Sequence, residues 1–252
     1  MTLSDRAAVE LFHLCFMRTF LVGPEKQHVV VKGGCNLRFF FGSVRYSEDI
    51  DFDVAVIAQN TLKKNVDKVL AGEPLARQLA TQRLTLETVS APKQTPTTQR
   101  WKVSFSNAAG ASLHSKIEFS RRETNDVGEL ASVAPRLLRR YALSPVLARH
   151  YVLHAAIRQK VQALAGRPTT QARDIFDLGL LLALAGEGLL SSDEIGSELS
   201  NAAKRILDVG YDEYSAQVLA YLEPDEREPY ASVEAWDALQ LQVLSGLERM
   251  GP

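Results

Sequence analysis

Residues 50–57 read IDFDVAVI, a run in which acidic side chains alternate with apolar ones before the sequence becomes wholly apolar. Because successive side chains of a β-strand point to opposite faces, Asp49, Asp51 and Asp53 share one face and the apolar residues between them share the other. Acidic residues are poor strand formers, and like charges on one face repel, so a plain solvated strand is the less favoured interpretation. The pattern predicts a strand that runs from an acidic edge into an apolar core.

A divalent cation would relieve the repulsion among these carboxylates. Hard oxygen ligands at a strand edge suit Mg²⁺, or Mn²⁺ in its place, which keeps water and substrate phosphates as its other ligands. Upstream, Gly33 and Gly34 allow a positive-φ turn and close backbone approach, and Ser43 follows a further glycine, Gly42. Such turns can hold a triphosphate through backbone N–H groups, although a glycine pair by itself is more typical of an ordinary turn.

The first half of the chain is predicted to mix helices and strands. A helix with one apolar face is predicted over residues 6–21, ended by Gly23 and Pro24. Then follow a β-branched strand, a short helix, the acidic strand, and a helix capped by Asn60. Three further strands, separated by turn-rich segments, are predicted at residues 84–89, 100–106 and 113–119.

The pattern after Pro145 is helical. One helix has an apolar stripe whose members are Leu147, Tyr151, His154, Ile157, Val161 and Leu164. Further helices are predicted at residues 170–182, 192–209, 211–222 and 233–247. The change falls between about residues 135 and 146, so we predict an α/β plus α fold, with a mixed-sheet domain over 1–140 and a helical domain over 141–252.

Charge is distributed unevenly although the net charge is only −1. Residues 1–120 hold 15 Lys/Arg against 11 Asp/Glu, residues 121–177 hold 10 against 5, and residues 178–252 hold 4 against 14. A basic region followed by an acidic C-terminal region favours a phosphate-bearing partner for the former. The two cysteines, Cys15 and Cys35, give no disulfide framework, and charged residues interrupt the first helix. We therefore expect no signal peptide, no membrane and a cytoplasmic protein.

The segment KGGCNLRFFFGSVRYSEDIDFD, residues 32–53, resembles the first motif of the AbiEii/AbiGii toxin family of nucleotidyltransferases, a branch of the DNA polymerase β-like superfamily. The residues that match are Gly33, Gly34, Arg38, Ser43, Arg45, Ser47, Asp49 and Asp51. A second match, in QKVQAL and ARDIFDL, consists of Lys160, Arg173, Asp174 and Asp177. The resemblance covers roughly residues 27–182, and both motifs occur in the expected order.

The resemblance implies an enzyme that transfers a nucleoside monophosphate from an NTP, with Asp49 and Asp51 as metal ligands. Asp53 is an addition to the usual pair of the family, and we interpret it as a solvated neighbour. A third carboxylate is expected on a neighbouring strand, for which Glu118 is the candidate, and an ordinary exposed glutamate is an equally favoured interpretation.

The nucleotide-binding set would consist of Gly33, Gly34, Arg38, Ser43, Arg45, Ser47, Lys160, Arg173 and Asp177. Lys160 would contact the phosphates, Asp174 would act at the nucleotide or as an acid–base group, and Arg173 and Asp177 would orient them. Either Gly33/Gly34 or Gly42/Ser43 could form the phosphate turn.

The implied acceptor is RNA, in particular tRNA, and the implied partner is a cognate antitoxin encoded nearby. The active site is expected in the cleft between the two domains. The alternatives are a nucleotidyltransferase acting on a small molecule or a protein, as in antibiotic-modifying or AMPylating enzymes, and a non-catalytic nucleotide-binding module. Intact Asp49 and Asp51 argue against the last of these.

Overall fold

The computed structural model describes residues 3–23, 27–121, 128–186 and 196–250. The chain separates into two compact units. The first unit comprises Met1–Gly42 and Tyr46–Tyr151, and the second comprises Ser43–Arg45 and Val152–Pro252. The short segment Ser43–Arg45 therefore belongs to the second unit although its neighbours in the chain belong to the first. Pro24, which was predicted to end the first helix, lies outside the described residues.

The first unit is built on a mixed sheet, which has seven strands over the described residues, in the order β3-β4-β5-β2-β1-β7-β6. Its strands are β1 Val29–Lys32, β2 Ile50–Val54, β3 Thr85–Gln94, β4 Thr98–Ser106, β5 Ser112–Ser120, β6 Glu129–Ser132 and β7 Leu147–His150. The acidic strand β2 runs antiparallel to β1 and parallel to β5. The three predicted later strands are confirmed as β3, β4 and β5, which form an antiparallel meander.

Helices of the first unit cover one face of this sheet. They are α1 Asp5–Phe20, α2 Gly33–Phe40, α3 Gln59–Leu70, α4 Glu73–Thr81 and α5 Pro135–Arg140. Phe12 on α1 stacks on Phe105 of β4, and Trp101 of the same strand donates through Nε1 to Asp67 on α3 at 2.8 Å. Each large side chain buried in this layer contributes about 1.5–3 kcal/mol to folding. The helix layer leaves alternate residues of β4 and β5 on the opposite face of the sheet.

The second unit is helical. Its helices are α6 Leu153–Gly166, α7 Ala172–Ala185, α8 Gly196–Ile206, α9 Tyr211–Gln217 and α10 Val233–Met250. A Cβ atom on Gly179 would lie 2.7 Å from a methyl group of Leu239, and one on Gly246 would lie 2.7 Å from a methyl group of Leu182. These two glycines therefore let α7 and α10 pack closely. The predicted α/β plus α class is confirmed.

Three sequence predictions about elements were wrong. Residues 147–150 form strand β7, which pairs in parallel with β1. The helix predicted to include Leu147 therefore begins only with α6, at Leu153. A segment of four residues, with Leu147 exposed and Ala148 buried, is too short to distinguish the alternation of a strand from the periodicity of a helix. Pairing with β1 makes it a strand. His154, placed on the apolar stripe of that helix, is exposed. Asn60 lies inside α3, whose N-cap is Ala58.

Candidate active site

A row of carboxylates occupies β2 and the turn before it. Ile50, Phe52 and Val54 are buried in the core, so Asp51 lies on the opposite face by strand alternation. In register, Asp51 is paired with Lys32 on β1 and with Glu118 on β5. The predicted third carboxylate is thus a direct cross-strand neighbour of Asp51.

Lys116 and Arg100 balance two members of this carboxylate row. Asp49 accepts hydrogen bonds from the Lys116 backbone N–H at 3.1 Å and from its ammonium group at 2.7 Å. Glu118 accepts from the Arg100 guanidinium at 2.6 Å. The four side chains remain between 23% and 44% exposed, so solvent and small ligands can reach them.

Asp53 differs from its two neighbours because it is buried, at 7% exposure. Its carboxylate accepts hydrogen bonds from the Lys32 ammonium group at 2.5 Å and from the Tyr151 hydroxyl at 2.7 Å. The interpretation of Asp53 as a solvated neighbour was therefore wrong. It joins β2, β1 and the end of β7 inside the first unit.

The glycine pair opens helix α2 directly, without an intervening turn. Gly33 has φ of +65°, and a Cβ atom there would lie 3.1 Å from Oδ2 of Asp51. Glycine is required at this point by both the backbone conformation and the carboxylate. Gly42 and Ser43, the alternative phosphate turn, have partners of their own: the Gly42 carbonyl accepts from Arg136, and the buried Ser43 hydroxyl accepts from the Arg45 N–H.

A chain of buried polar groups holds the segment that carries Asp49. The Ser47 hydroxyl donates to the Asp49 carbonyl at 2.8 Å, and the Cys35 thiol lies 3.4 Å from the same oxygen. The Ser115 hydroxyl donates to the Glu48 carbonyl and lies 2.7 Å from Nε2 of His13. Burial lowers the pKa of His13 to about 3, so its ring is neutral. Sequence reasoning missed the roles of His13 on α1 and Ser115 on β5, two elements that are far apart in the chain.

Arg38, expected to contact the nucleotide, is directed into the core. Its guanidinium binds Glu10 at 2.5 Å and lies 4.1 Å from the centre of the Tyr46 ring. The Tyr141 hydroxyl also donates to Glu10. Burial alone would lower the pKa of Arg38, but the Glu10 carboxylate outweighs it and the pKa is raised. We assign Arg38 to this buried network in place of the expected phosphate contact.

The second unit brings four of the remaining site residues together. The Lys160 ammonium donates to Asp174 at 2.9 Å and to Asp177 at 2.7 Å. The Arg45 guanidinium donates two hydrogen bonds to the Asp177 carboxylate, from Nε at 3.1 Å and from a terminal nitrogen at 2.7 Å. Arg167, which sequence reasoning missed, lies 2.8 Å from the other oxygen of Asp174. No local signal reveals the Arg45–Asp177 pair, whose members are 132 residues apart.

Ion pairing controls the charge states in this cluster. Burial would raise the pKa of Asp177, but Arg45 and Lys160 outweigh it and lower that pKa to about 2. Burial would likewise lower the pKa of Lys160, but Asp174 and Asp177 raise it above its ordinary value. Asp177 and Lys160 are therefore both ionised at neutral pH. Arg173, which was expected to orient Asp174 and Asp177, is half-buried. The ion pairs of these two aspartates are formed with Arg45, Lys160 and Arg167.

The carboxylate row can supply oxygen ligands to a divalent cation. Within the described ranges, no group of three or more His, Cys, Asp or Glu side chains is arranged as a ready-made metal site. Asp49 and Asp51 nevertheless offer oxygen donors two positions apart, and Gly33 has no Cβ atom, which would lie 3.1 Å from Oδ2 of Asp51. Binding through one or two carboxylates, with water and phosphate completing the shell, is the pattern of Mg²⁺. The residues fit such an ion.

A mixed sheet with this carboxylate row, joined to a helical unit, defines a protein of the nucleotidyltransferase class. A family model described as "Nucleotidyl transferase AbiEii toxin, Type IV TA system" matches residues 15–242. The chain belongs to this family of nucleotidyltransferase toxins. The expected family, its transferase class and its toxin–antitoxin setting are confirmed.

Solved structures agree with this assignment at the level of the fold. JHP933 from Helicobacter pylori superposes with a TM-score of 0.62 at 18% identity, covering 99% of this chain and 95% of that one. MenT4, a nucleotidyltransferase toxin from Mycobacterium tuberculosis, gives a TM-score of 0.62 at 16% identity, covering 96% and 84%. A comparison with curated proteins finds no match. No described helix is long and apolar enough to cross a membrane.

Proposed function

We propose that this protein transfers a nucleoside monophosphate from an NTP to a hydroxyl group of RNA, with tRNA as the acceptor, and that it is the toxin partner of a nearby encoded antitoxin. One observation carries the proposal: Asp49 and Asp51 lie at the start of β2, Glu118 is in register beside Asp51, and the backbone of Gly33 comes close to the Asp51 carboxylate. Membership of a nucleotidyltransferase toxin family supports it.

In the proposed reaction the acceptor oxygen forms a bond to the α-phosphorus, and the bond from that phosphorus to pyrophosphate breaks. A divalent cation held by Asp49 and Asp51, Mg²⁺ or Mn²⁺, would neutralise phosphate charge and lower the pKa of the acceptor hydroxyl. Glu118, which accepts a hydrogen bond from Arg100, would take the hydroxyl proton. Ser47 holds the backbone of Asp49 in place.

The phosphate contacts are assigned to Gly33 and Gly34 in this proposal. They begin α2, whose first N–H groups lack partners within the helix and so favour anionic oxygen. A side chain at Gly33 would meet the Asp51 carboxylate and close the approach of the triphosphate. Gly42 and Ser43 are left with a structural role, since their polar groups have protein partners.

Residues of the second unit take the roles of phosphate contact and positioning. Lys160 is charged and 11% exposed as a side chain, so its ammonium can bind a phosphate oxygen while keeping the two aspartates. Asp174 would contact a nucleotide hydroxyl or transfer a proton through its second oxygen, which also lies 2.8 Å from Nε of Arg167. Asp177 and Arg45 position Lys160, and Arg173 flanks Asp174.

The test is incubation of the protein with each α-labelled NTP, with and without purified total tRNA. We expect label on tRNA only with Mg²⁺ or Mn²⁺, and none with Asp49→Asn/Asp51→Asn. Label on the protein itself, or on a small molecule from an extract, would replace RNA by another acceptor. Absence of any nucleotide transfer from all four NTPs would contradict the catalytic proposal.

A further inference from the structure

Strands β3, β4 and β5 carry polar residues on the sheet face opposite the helix layer. Trp101, Val103 and Phe105 of β4 are buried against the helices, so Arg100, Lys102 and Ser104 lie on the other face. Residues directly paired across strands share a face. The antiparallel register therefore adds further residues to this face, which are Thr88, Ser90, Lys93, His114, Lys116 and Glu118.

Cations dominate this face. We call Lys93, Arg100, Lys102, His114 and Lys116 the basic face. The side chains of Lys93, Lys102 and His114 are exposed, whereas Lys116 and Arg100 bind Asp49 and Glu118. The register places one acidic residue of β3–β5, Glu118, beside these four Lys and Arg residues, and Glu87 lies at the register shift between Leu86 and Thr88.

The basic face is continuous with the carboxylate row. One cross-strand line runs from Lys93 through Arg100 and Glu118 to Asp51. Three strand spacings separate its ends, about 14 Å in total. A parallel line runs from Lys102 to Lys116, which reaches Asp49. A ligand on the basic face would thus lead directly to the proposed site of transfer.

We infer that the basic face binds the phosphate backbone of the polynucleotide acceptor and delivers its reacting end to Asp49 and Asp51. This inference rests on the proposed function. Charge complementarity favours a polyanion, because Lys is depleted at protein–protein interfaces, which instead carry aromatic and apolar anchors. No Phe, Tyr or Trp lies on this face of the fully described strands β3–β5. The contacts are therefore with phosphates and independent of base sequence.

The test compares two double variants with the same loss of charge. Lys93→Gln/Lys102→Gln removes two exposed cations from the basic face, and Lys64→Gln/Lys68→Gln removes two exposed cations from α3, in the helix layer. Binding of end-labelled total tRNA is measured between about 50 and 200 mM monovalent salt. Each lost phosphate contact reduces the slope of log affinity against log salt by about 0.7–0.9.

For Lys93→Gln/Lys102→Gln we expect a slope reduced by roughly 1.5 and tRNA affinity reduced about tenfold at the lower salt concentrations. NTP affinity, measured by equilibrium dialysis, stays at the wild-type value. The α3 variant keeps the wild-type slope. Unchanged tRNA binding in the first variant, or equal losses in both, would overturn the inference.

Further outcomes separate this inference from the proposed function. If wild-type protein labels tRNA but the basic-face variant shows the same tRNA affinity and KM, the inference fails while the proposed function stands. If tRNA binds with the expected slopes but receives no nucleotide, the proposed function fails, whereas tRNA binding by the basic face is supported. Displacement of tRNA by poly-L-glutamate as readily as by polyuridylate would indicate an acidic protein ligand and overturn the inference.

Discussion

The two units each contain a cluster of paired charges, but they differ in burial. In the first unit, Asp49–Lys116 and Glu118–Arg100 keep side chains that are 23–44% exposed. In the second, the Asp177 side chain is fully buried and its partners Arg45 and Lys160 are 6% and 11% exposed. Exposed pairs contribute about 0–1 kcal/mol and can exchange partners with a ligand. Buried pairs cannot lose a member without leaving an uncompensated charge.

The two clusters use the same residue types, acidic side chains paired with Lys and Arg, but their difference in burial suits them to different roles. The first-unit cluster is suited to change its partners when a substrate arrives, since its Lys and Arg can leave their carboxylates at little cost. The second-unit cluster is suited to keep Lys160 in one place and in one charge state. The comparison predicts that variants of the first cluster mainly reduce transfer, and variants of the second mainly reduce stability.

The largest effect is expected from Asp49→Asn/Asp51→Asn. Nucleotidyl transfer should fall by on the order of 10³ or more, because charge stabilisation of the transition state is lost. The free energy of unfolding should change by less than about 1 kcal/mol, since relief of repulsion offsets the loss of the Asp49–Lys116 pair. Labelled-NTP assays and urea unfolding provide the two measurements. Retention of metal-dependent transfer would place the metal elsewhere.

Asp177→Asn should destabilise the second unit by about 3–5 kcal/mol, because Arg45 and Lys160 lose the carboxylate that they share. Trp236 on α10 is buried in this unit and reports its urea unfolding once Trp101 is replaced by Phe. Glu73→Gln, which breaks a highly exposed pair with Arg77 in the first unit, is the control with nearly no cost, followed by Trp101 in a Trp236→Phe background. An Asp177 effect as small as this control would remove the distinction between the clusters.

The pH dependence sharpens the same distinction. The pKa of Asp177 is lowered to about 2 in the folded protein from its ordinary 3.8. A depressed pKa stabilises the fold above the unfolded value, and this contribution, on the order of 2 kcal/mol, disappears as pH falls from about 4 to 2. Trp236 fluorescence should therefore show acid unfolding over this range. In Asp177→Asn, that part of the acid dependence should be absent.

The smallest effect is expected from Lys116→Gln. Its pair with Asp49 is partly exposed, so the loss should be under about 1 kcal/mol. Urea unfolding followed by Trp101, buried in the first unit, measures it in a Trp236→Phe background. A loss above 2 kcal/mol would show that Lys116 is as essential to the fold as the buried cations of the second unit.

Local patterns predicted much of this fold because they record local physics. Alternation predicted β2 and β5, and three-to-four spacing predicted α1 and α7. The pattern failed at residues 147–150, since a four-residue strand has no periodicity long enough to distinguish it from a helix turn. Pairing with β1, a contact between distant parts of the chain, makes that segment a strand.

The candidate residues divide in the same way. The sequence alone determined that Asp49 and Asp51 share a face and that a short helix follows β1, because both follow from backbone geometry within a few residues. Tertiary structure alone decided the ion-pair partners of the two arginines: Arg38 pairs with Glu10, and Arg45 pairs with Asp177. It also decided that Asp53 is buried and accepts a hydrogen bond from the Tyr151 hydroxyl. A charged side chain can reach many partners, and only the folded chain selects one by burying both.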